Sequence, residues 1–535
     1  MDSSLERIDA YLVTALRGLS GINLTSLAEA LAIATGVTVF VWHVVSWALS
    51  PLRRYPGPFL AGWTNLWRFV LMLKGEEYHL TVKKLHEKYG PVVRTGPNLL
   101  DIDYPELAKV IYGTDGKWSK TEMYQNNSTI IDGKITYHLF SETNQVIHAR
   151  KKRPVVKYYS MSSVLALEPK IDGVINEFCK QLEQRFINGP AGPKDCDLGE
   201  WLAFCTWDFL STATFSRSFG YLDKGCDFDG SIAIADTSLD YFKAISQMPF
   251  LDYWLDKNPI VRIGPANLTN VTRIAFESLM ARIQGKDANY DPKTHDYLQY
   301  FIESKKKNPE LVDDGTIMEY LLVNLIAGAD TTAVTIRSII YLCLKRPTIY
   351  RKLEEEILAA GLDPERPAPY NVARQLPYLE AVVREALRFH PVVAVTMERY
   401  VPESGVRLPD GSFVPGGVAI GMNPYVVGRN KDVFGQDAQE FRPERWLQAP
   451  GEDQETYRLR RQSMNAADLT FGGGSRICIG KTLALCEVYK IAATLIQRYE
   501  IELADPTKEW KVEGSWFTRQ RGIITKLRLR EHNLF

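Results

Sequence analysis

One run of this chain is apolar on every side. From Ala30 to Leu49, twenty residues carry no Asp, Glu, Lys or Arg, and Trp42 and Trp47 stand toward its C-terminal end. A helix of that length spans about 30 Å, the depth of a bilayer core, and tryptophans suit its interfacial rim. Residues 30–50 are therefore expected to form a transmembrane anchor. Asp2, Glu6, Asp9 and Glu29 outweigh Arg7 and Arg17 before it, whereas Arg53 and Arg54 follow directly. The positive-inside rule then places the remaining chain in the cytosol. The run begins late and lacks a basic leader, which argues against a cleaved signal peptide. Residues 1–29 read as a short lumenal or interfacial segment. There Leu5, Ile8, Leu12, Ala15, Leu16 and Leu19 recur at helical spacing, a face that suits either a membrane surface or the protein body. Asn23-Leu24-Thr25 is a glycosylation sequon on the predicted lumenal side.

Beyond the anchor the pattern changes. Tyr55-Pro56-Gly57-Pro58 denies helix continuation and predicts a stiff hinge over 51–58. The remainder, 59–535, holds no Ser/Gly linker, low-complexity tract or repeat, and reads as one body. Val92–Thr95 and Leu99–Ile102 flank Gly96-Pro97-Asn98 and predict a hairpin. Val406–Val418, turning at Asp410-Gly411, predicts another. The longest helical periodicity starts at a cap, Asp314 or Thr316, and ends near Lys345, ahead of Arg346-Pro347. Further helices open at Leu376-Pro377 and at Lys481. Residues 120–140 and 448–468 are polar and unpatterned and are expected as loops. Leu251–Leu255 is expected in a lid.

Formal charge sums to zero, which argues against nucleic acid as a partner. The seven cysteines (179, 196, 205, 226, 343, 478 and 486) are dispersed, odd in number and free of CxxC spacing, as in a reducing compartment. Cys478 stands apart. Phe471-Gly472-Gly473-Gly474-Ser475-Arg476-Ile477-Cys478-Ile479-Gly480 places it between glycines, directly before a helix. Unpaired N–H groups and the helix dipole there favour a thiolate, which acts as nucleophile or metal ligand. The glycines permit positive φ and close approach of a flat group. Arg476 can pair with a carboxylate on that group, and Phe471 supplies an apolar cover. A planar, carboxylate-bearing partner with a metal at its centre is haem. The plainer alternative is a structural cysteine in a Gly-rich turn.

Other stretches carry chemistry. Ala327-Gly328-Ala329-Asp330-Thr331-Thr332 sets poor helix formers in the apolar middle of the longest helix. A buried Asp there needs a partner or a purpose, and Thr hydroxyls can bond carbonyls one turn back. A local opening of the helical hydrogen-bond ladder is expected. Glu385 and Arg388, three apart, share a helical face. His148-Ala149-Arg150-Lys151-Lys152-Arg153 is a basic cluster that would by itself be a solvated face.

These stretches match FxxGxRxCxG, [AG]Gx[DE]T[TS] and ExxR, and Phe441-Arg442-Pro443-Glu444-Arg445-Trp446 matches PER[FW]. The chain thereby resembles the cytochrome P-450 superfamily over nearly the whole body. Tyr55–Pro58 is similar to the hinge of its microsomal members. The resemblance implies a mainly α fold with small β-sheets: an α-rich haem-thiolate body, a long kinked central helix and a smaller β-rich region. It implies haem b (iron protoporphyrin IX) with Cys478 as axial ligand. Phe471, Gly472, Gly474, Arg476 and Gly480 would line the haem, with Arg399, His148 and Lys152 at its propionates. Asp330 and Thr331 would deliver protons, and Glu385, Arg388 and Arg445 would form a structural network. Ala327, Val392, Val393, Val395 and Thr396 would line the substrate pocket, with Trp516-Phe517 as a tip reaching into it.

The implied activity is that of a monooxygenase acting on a small lipophilic substrate. No GxGxxG follows a predicted strand, so electrons would come from NADPH through a separate NADPH–cytochrome P-450 reductase, with a b-type cytochrome as a further donor. The anchor points to the endoplasmic reticulum membrane. Trp118-Ser119-Lys120-Thr121, the stretch His148–Pro154 and Tyr159-Ser160-Met161-Ser162 are similar to filamentous-fungal members related to pisatin demethylase, many of which serve secondary metabolism. A haem-thiolate isomerase or dehydratase that uses no dioxygen, and a haem sensor without turnover, are the competing classes. The retained Asp330-Thr331 pair argues against both.

Overall fold

The computed structural model describes residues 24–531 apart from Glu76, Asp132 and Ala191. The expected amphipathic face over 1–20 and the sequon asparagine Asn23 lie outside the described residues. Helix α1, Leu24–Leu49, begins six residues before the predicted anchor. Its apolar window is wholly unburied, unlike that of the other long apolar helix, which is 78% buried in the body. Trp47, at its end, packs against Phe59 and Trp63. The hinge is docked onto the body. Arg94 N donates to Pro56 O at 2.7 Å, and a Cβ on Gly57 would lie 2.2 Å from Arg94 O.

The predicted hairpin forms as β1 (Val92–Gly96) and β2 (Leu99–Ile102). It joins β3 (Arg399–Tyr400) and β4 (Ala419–Gly421) in a sheet of order β1-β2-β4-β3, with β2 and β4 parallel. The second predicted hairpin pairs Val406–Arg407 with Phe413–Val414. Residues 120–140 are more ordered than a loop. They hold a 3-10 turn, Glu122–Asn127, and a small hairpin of Thr129–Ile131 with Lys134–Thr136. Leu251–Leu255 falls in and after a 3-10 turn, Pro249–Tyr253.

The body is otherwise helical. Helix α2 is Gln145–Lys152, α3 is Leu198–Phe215 and α4 is Asp314–Leu344. The cap of α4 is Asp313, one residue before the expected position, accepting from Thr316 N at 2.7 Å. Helix α4 runs through the centre and packs along α3. Gly328 permits that approach, because a Cβ there would meet Leu210 at 2.6 Å. The expected opening of the ladder is not found: α4 is uninterrupted through Ala327–Thr332. The hydroxyls of Thr331, Thr332 and Thr335 bond carbonyls four residues back, at 2.9, 2.9 and 3.0 Å, without displacing the backbone bonds.

Helix α5, Pro377–Phe389, carries Glu385 and Arg388. The stretch expected as a polar loop at 448–468 contains helix α6, Gln454–Ala467. Asp453 caps it, accepting from Glu455 and Thr456 N. It buries only Met464 and Ala467 and turns its charges to solvent, so its apolar periodicity is faint. Helix α7, Lys481–Arg498, follows the cysteine segment and is buried along most of its length.

Candidate active site

A cavity of about 1340 Å³ is lined by α4, the cysteine segment, the start of α7 and the 120–140 region. Ordinary ligand sites hold about 300–1,000 Å³, so this one has room for a prosthetic group and a second occupant. Cys478 is surrounded by protein, yet its side chain is accessible, because it opens into the cavity. Burial pushes its thiol above the ordinary value. The N–H groups of Gly480 and Lys481, with the Lys152 and Lys481 ammoniums, offset this only in part. The helix end therefore does not suffice to ionise Cys478, contrary to expectation; a metal cation at the sulfur would.

The glycines divide by role. Gly472 (φ 71°) and Gly474 (φ 55°) are left-handed, whereas Gly473 and Gly480 hold ordinary negative φ. Gly472 and Gly480 line the cavity with Phe471. Gly474 does not. It seats the loop on its neighbour, where a Cβ would come within 2.0 Å of Tyr112 O.

Around the cavity gather cations without counter-charges. Arg476, Arg399, His148 and Lys152, all expected at propionates, line it, and so does Lys120, which sequence reasoning passed over. Arg476 donates to Glu142 O (2.6 Å), Thr143 O (3.2 Å) and Gln145 Oε1 (3.1 Å). Arg399 donates to Glu398 O and the Tyr124 hydroxyl. Lys152 reaches Ser475 O at 3.0 Å and Lys120 reaches Phe140 O at 2.7 Å. Among the described residues no carboxylate lies within 4.0 Å of Lys120, Lys152, Arg399 or Arg476. Burial, then mutual repulsion, lowers Arg476 to about 10 and Lys120 well below its usual range. His148 is pushed down to about 3, by burial and then by Arg476 and Lys120, and is neutral. Several cations facing one void, Lys120 and Arg399 buried and Arg476 and Lys152 half-buried, fit a group that brings two carboxylates, and an accessible sulfur in the same void fits its metal. The residues present fit haem.

On the other wall Ala327 and Thr331 line the cavity, as do Val392, Val393, Val395, Trp516 and Phe517. Thr396 does not; its hydroxyl is turned onto buried Asp101, which also accepts from His86 Nε2 at 2.8 Å. Asp330 lies off the cavity, with Oδ1 accepting from Trp207 Nε1 at 2.9 Å and Oδ2 unpartnered. Burial, then Asp236, raises its carboxyl to about 6. Glu487 on α7 was also missed: it lines the cavity, Oε1 is unpartnered, and burial pushes its carboxyl well up.

Below the cavity the expected network is closed. Glu385 accepts from Arg388 (2.6 and 2.8 Å), Arg445 Nε (2.9 Å), Trp446 Nε1 (2.9 Å) and Arg442 N (2.8 Å). Although burial alone would raise it, Arg388 and Arg445 hold its carboxyl below the ordinary value.

The sequence profile described as "Cytochrome P450" matches residues 56–527. Over 495 residues the chain is 45% identical to the cytochrome P450 monooxygenase cfoH of Aspergillus candidus, covering 92% of this chain and 91% of that one. A cytochrome P450 monooxygenase of Aspergillus terreus is 36% identical over 90% of this chain and 96% of its own. Cytochrome P450 monooxygenase cicH of Emericella nidulans is 35% identical over 90% and 94%. The chain belongs to the cytochrome P450 family. It is a monooxygenase of that family, which implies haem as cofactor, a redox partner and a small-molecule substrate.

Proposed function

We propose that this protein inserts one oxygen atom of dioxygen into an apolar small molecule in fungal secondary metabolism, with electrons from NADPH through a separate reductase. The observation that carries this reading is the accessible Cys478 sulfur sharing one cavity with unpaired cations and the Thr331 hydroxyl. Cys478 would be the axial ligand, and Arg476, Arg399, Lys152, His148 and Lys120 would hold the propionates. Bound there, a thiolate-ligated haem supplies dioxygen activation, because the sulfur donates electron density that favours O–O cleavage. The chain's own part is positioning and proton supply. Thr331 Oγ1 donates to Ala327 O, which leaves its lone pairs to accept a hydrogen bond from the cavity. Asp330, raised to about 6, holds and releases a proton near neutrality behind α4. The valines at 392, 393 and 395 present an apolar wall to the substrate.

The protein would sit in the endoplasmic reticulum membrane through one span, with the body cytosolic. The unburied apolar window of α1 supports this. So do exposed apolar side chains on the body, Phe59 and Leu60 beside the anchor and Trp254, Ile260, Val261 and Ile263 further on.

The test is NADPH and oxygen consumption by purified protein with reductase, beside the carbonyl spectrum of the reduced protein. The reading expects a thiolate-type spectrum that Cys478→Ala abolishes. Turnover of an oxygenated substrate without NADPH or dioxygen would favour an isomerase or dehydratase instead.

A further inference from the structure

The acid of α4 faces away from the place where its proton is wanted. Asp330 and Thr331 are neighbours, about 100° apart around the helix, and of the two Thr331 alone lines the cavity. The Asp330 carboxyl turns instead to α3, where Oδ1 accepts from Trp207 Nε1 at 2.9 Å. Trp207 is 1% exposed. An indole has one N–H donor and no acceptor, so it can hold the carboxyl but cannot pass a proton on.

Asp330 also differs from other buried carboxylates of the body. Asp101, Asp208, Asp296, Glu385 and Glu398 each accept hydrogen bonds at both oxygens. Asp330 Oδ2 is buried and accepts none. A carboxyl that served only to tie α4 to α3 would gain by filling that oxygen, because an unpartnered buried polar atom is costly. Beyond the indole, the charges acting on Asp330 are Asp236 on helix Ser231–Ile245, Arg337 on α4 and Arg519 on strand Thr518–Arg521. Asp236 pairs with Arg519 at 2.6 Å and with Arg521, whose side chain is 45% exposed. Arg337 is engaged by Gly199 O at 2.6 Å. The outer side of the carboxyl thus looks toward charge that reaches solvent, and its inner side is closed by the turn of α4.

We propose that Trp207 is a positioning residue for proton delivery: its indole N–H holds the Asp330 carboxyl off the cavity, and a proton reaches the Thr331 side only when that bond is released. One proton then leaves Oδ2 for the cavity and one from solvent replaces it, so the carboxyl ends as it began. The proposal rests on the haem-thiolate reading and adds to it a residue that lies outside the cavity wall.

The experiment reads the infrared stretch of carbon monoxide bound to reduced, haem-loaded, full-length protein as pH is carried through 6. That stretch responds to charges and hydrogen-bond donors beside the bound gas. With Trp207 in place, Asp330→Asn should leave it unmoved. In Trp207→Phe the carboxyl is freed, and the stretch should split into bands whose ratio follows pH. Adding Asp330→Asn to that variant should restore a single band. The midpoint should stand about one pH unit above that of the unaltered carboxyl, because the lost bond favoured the ionised form. The unaltered midpoint is read from the carboxyl C=O stretch of the haem-free protein, isolated by subtracting Asp330→Asn. A bond that only braces the fold would change stability without letting carbon monoxide sense Asp330. Should Trp207→Phe fail to fold, benzothienylalanine in place of Trp207, with sulfur where the N–H was, carries the same test. A single band indifferent to pH in the folded variant overturns the proposal, and so does a stretch that Asp330→Asn moves equally with Trp207 present. Loss of the thiolate-type carbonyl spectrum in the unaltered protein would instead sink the haem-thiolate reading itself, so the two failures are distinguishable.

Discussion

Two groups of buried cations in this protein use the same residue types to opposite ends. Around Glu385, every guanidinium donor of Arg388 and Arg445 has an acceptor. Besides the carboxylate, the carbonyls of Gly428, Ala438 and Glu440 take Arg388, and those of Phe434, Asp437 and Glu440 take Arg445. Around the cavity, Lys120, Lys152, Arg399 and Arg476 hold carbonyls and a hydroxyl but no carboxylate. The first group is complete within the chain. The second is complete only with an anionic ligand. Burial alone therefore does not say whether an arginine is structural or functional; the count of its satisfied charges does.

The largest expected effect tests the closed group. Glu385→Ala takes the carboxylate from two buried guanidiniums, leaving Arg388 without one and Arg445 with Asp437 at 3.2 Å, and should destabilise the body by about 3–5 kcal/mol, with or without haem. Chemical unfolding of both forms measures it, and a loss confined to the haem-loaded form would blur the distinction. Next in size is Arg476→Leu. It should speed haem loss about ten- to a hundredfold, the equivalent of about 1.5–3 kcal/mol for charge-assisted bonds, while the haem-free fold loses less than with Glu385→Ala, because it gives up the bonds to Glu142, Thr143 and Gln145 but no ion pair. Transfer of haem to an acceptor protein gives the rate. Lys120→Met goes further, because it removes a cation crowded by Arg399 and Arg476. Haem retention should fall while the haem-free protein gains about 1 kcal/mol. A haem-free protein weakened by this change would mean that the partners Lys120 has in the fold, the Phe140 carbonyl and the Tyr124 and Phe140 rings, outweigh its repulsion from Arg399 and Arg476.

The closed group was readable from the sequence and much of the open one was not. Glu385 and Arg388 are three residues apart and Arg445 sits in a short fixed pattern, so their association is nearly local. Phe471–Gly480 likewise carries its chemistry within ten residues. Lys120, by contrast, reaches the cavity only because residues 120–140 fold over it, and nothing in the spacing of Trp118-Ser119-Lys120-Thr121 announces that. Glu487 lies nine residues past the cysteine in a helix read for its apolar face. Thr396 was misplaced because its hydroxyl bonds buried Asp101, which lies off the cavity that Val392, Val393 and Val395 line. Helix α6 was hidden because its apolar face is only two buried residues wide.

The smallest expected effect is a slope with pH, and it separates the two groups by window. His148 is lowered from 6.5 to about 3, so the unfolded chain binds a proton that the folded chain refuses. Its contribution is therefore whole above pH 6.5 and is lost as pH falls from 6.5 toward 3. Glu385 is held below its ordinary 4.5, so the stability it brings is present above 4.5 and drains only as pH falls further. Between 6.5 and 4.5 the haem-free protein should thus lose stability through His148, and through His138 and His390, which burial likewise lowers to about 3 and about 4, while the Glu385 network is still intact. His148→Phe should make that stretch of the curve shallower by its share and leave the steeper fall below 4.5 in place. In the haem-loaded protein the stretch should be shallower without any substitution, because propionates beside His148 answer the repulsion from Arg476, Lys120 and Lys152 that helps keep it neutral. Unfolding midpoints measured across this range, with and without haem, check both claims. Identical slopes in the two forms would mean that the acid ends of the haem lie elsewhere than at this cluster.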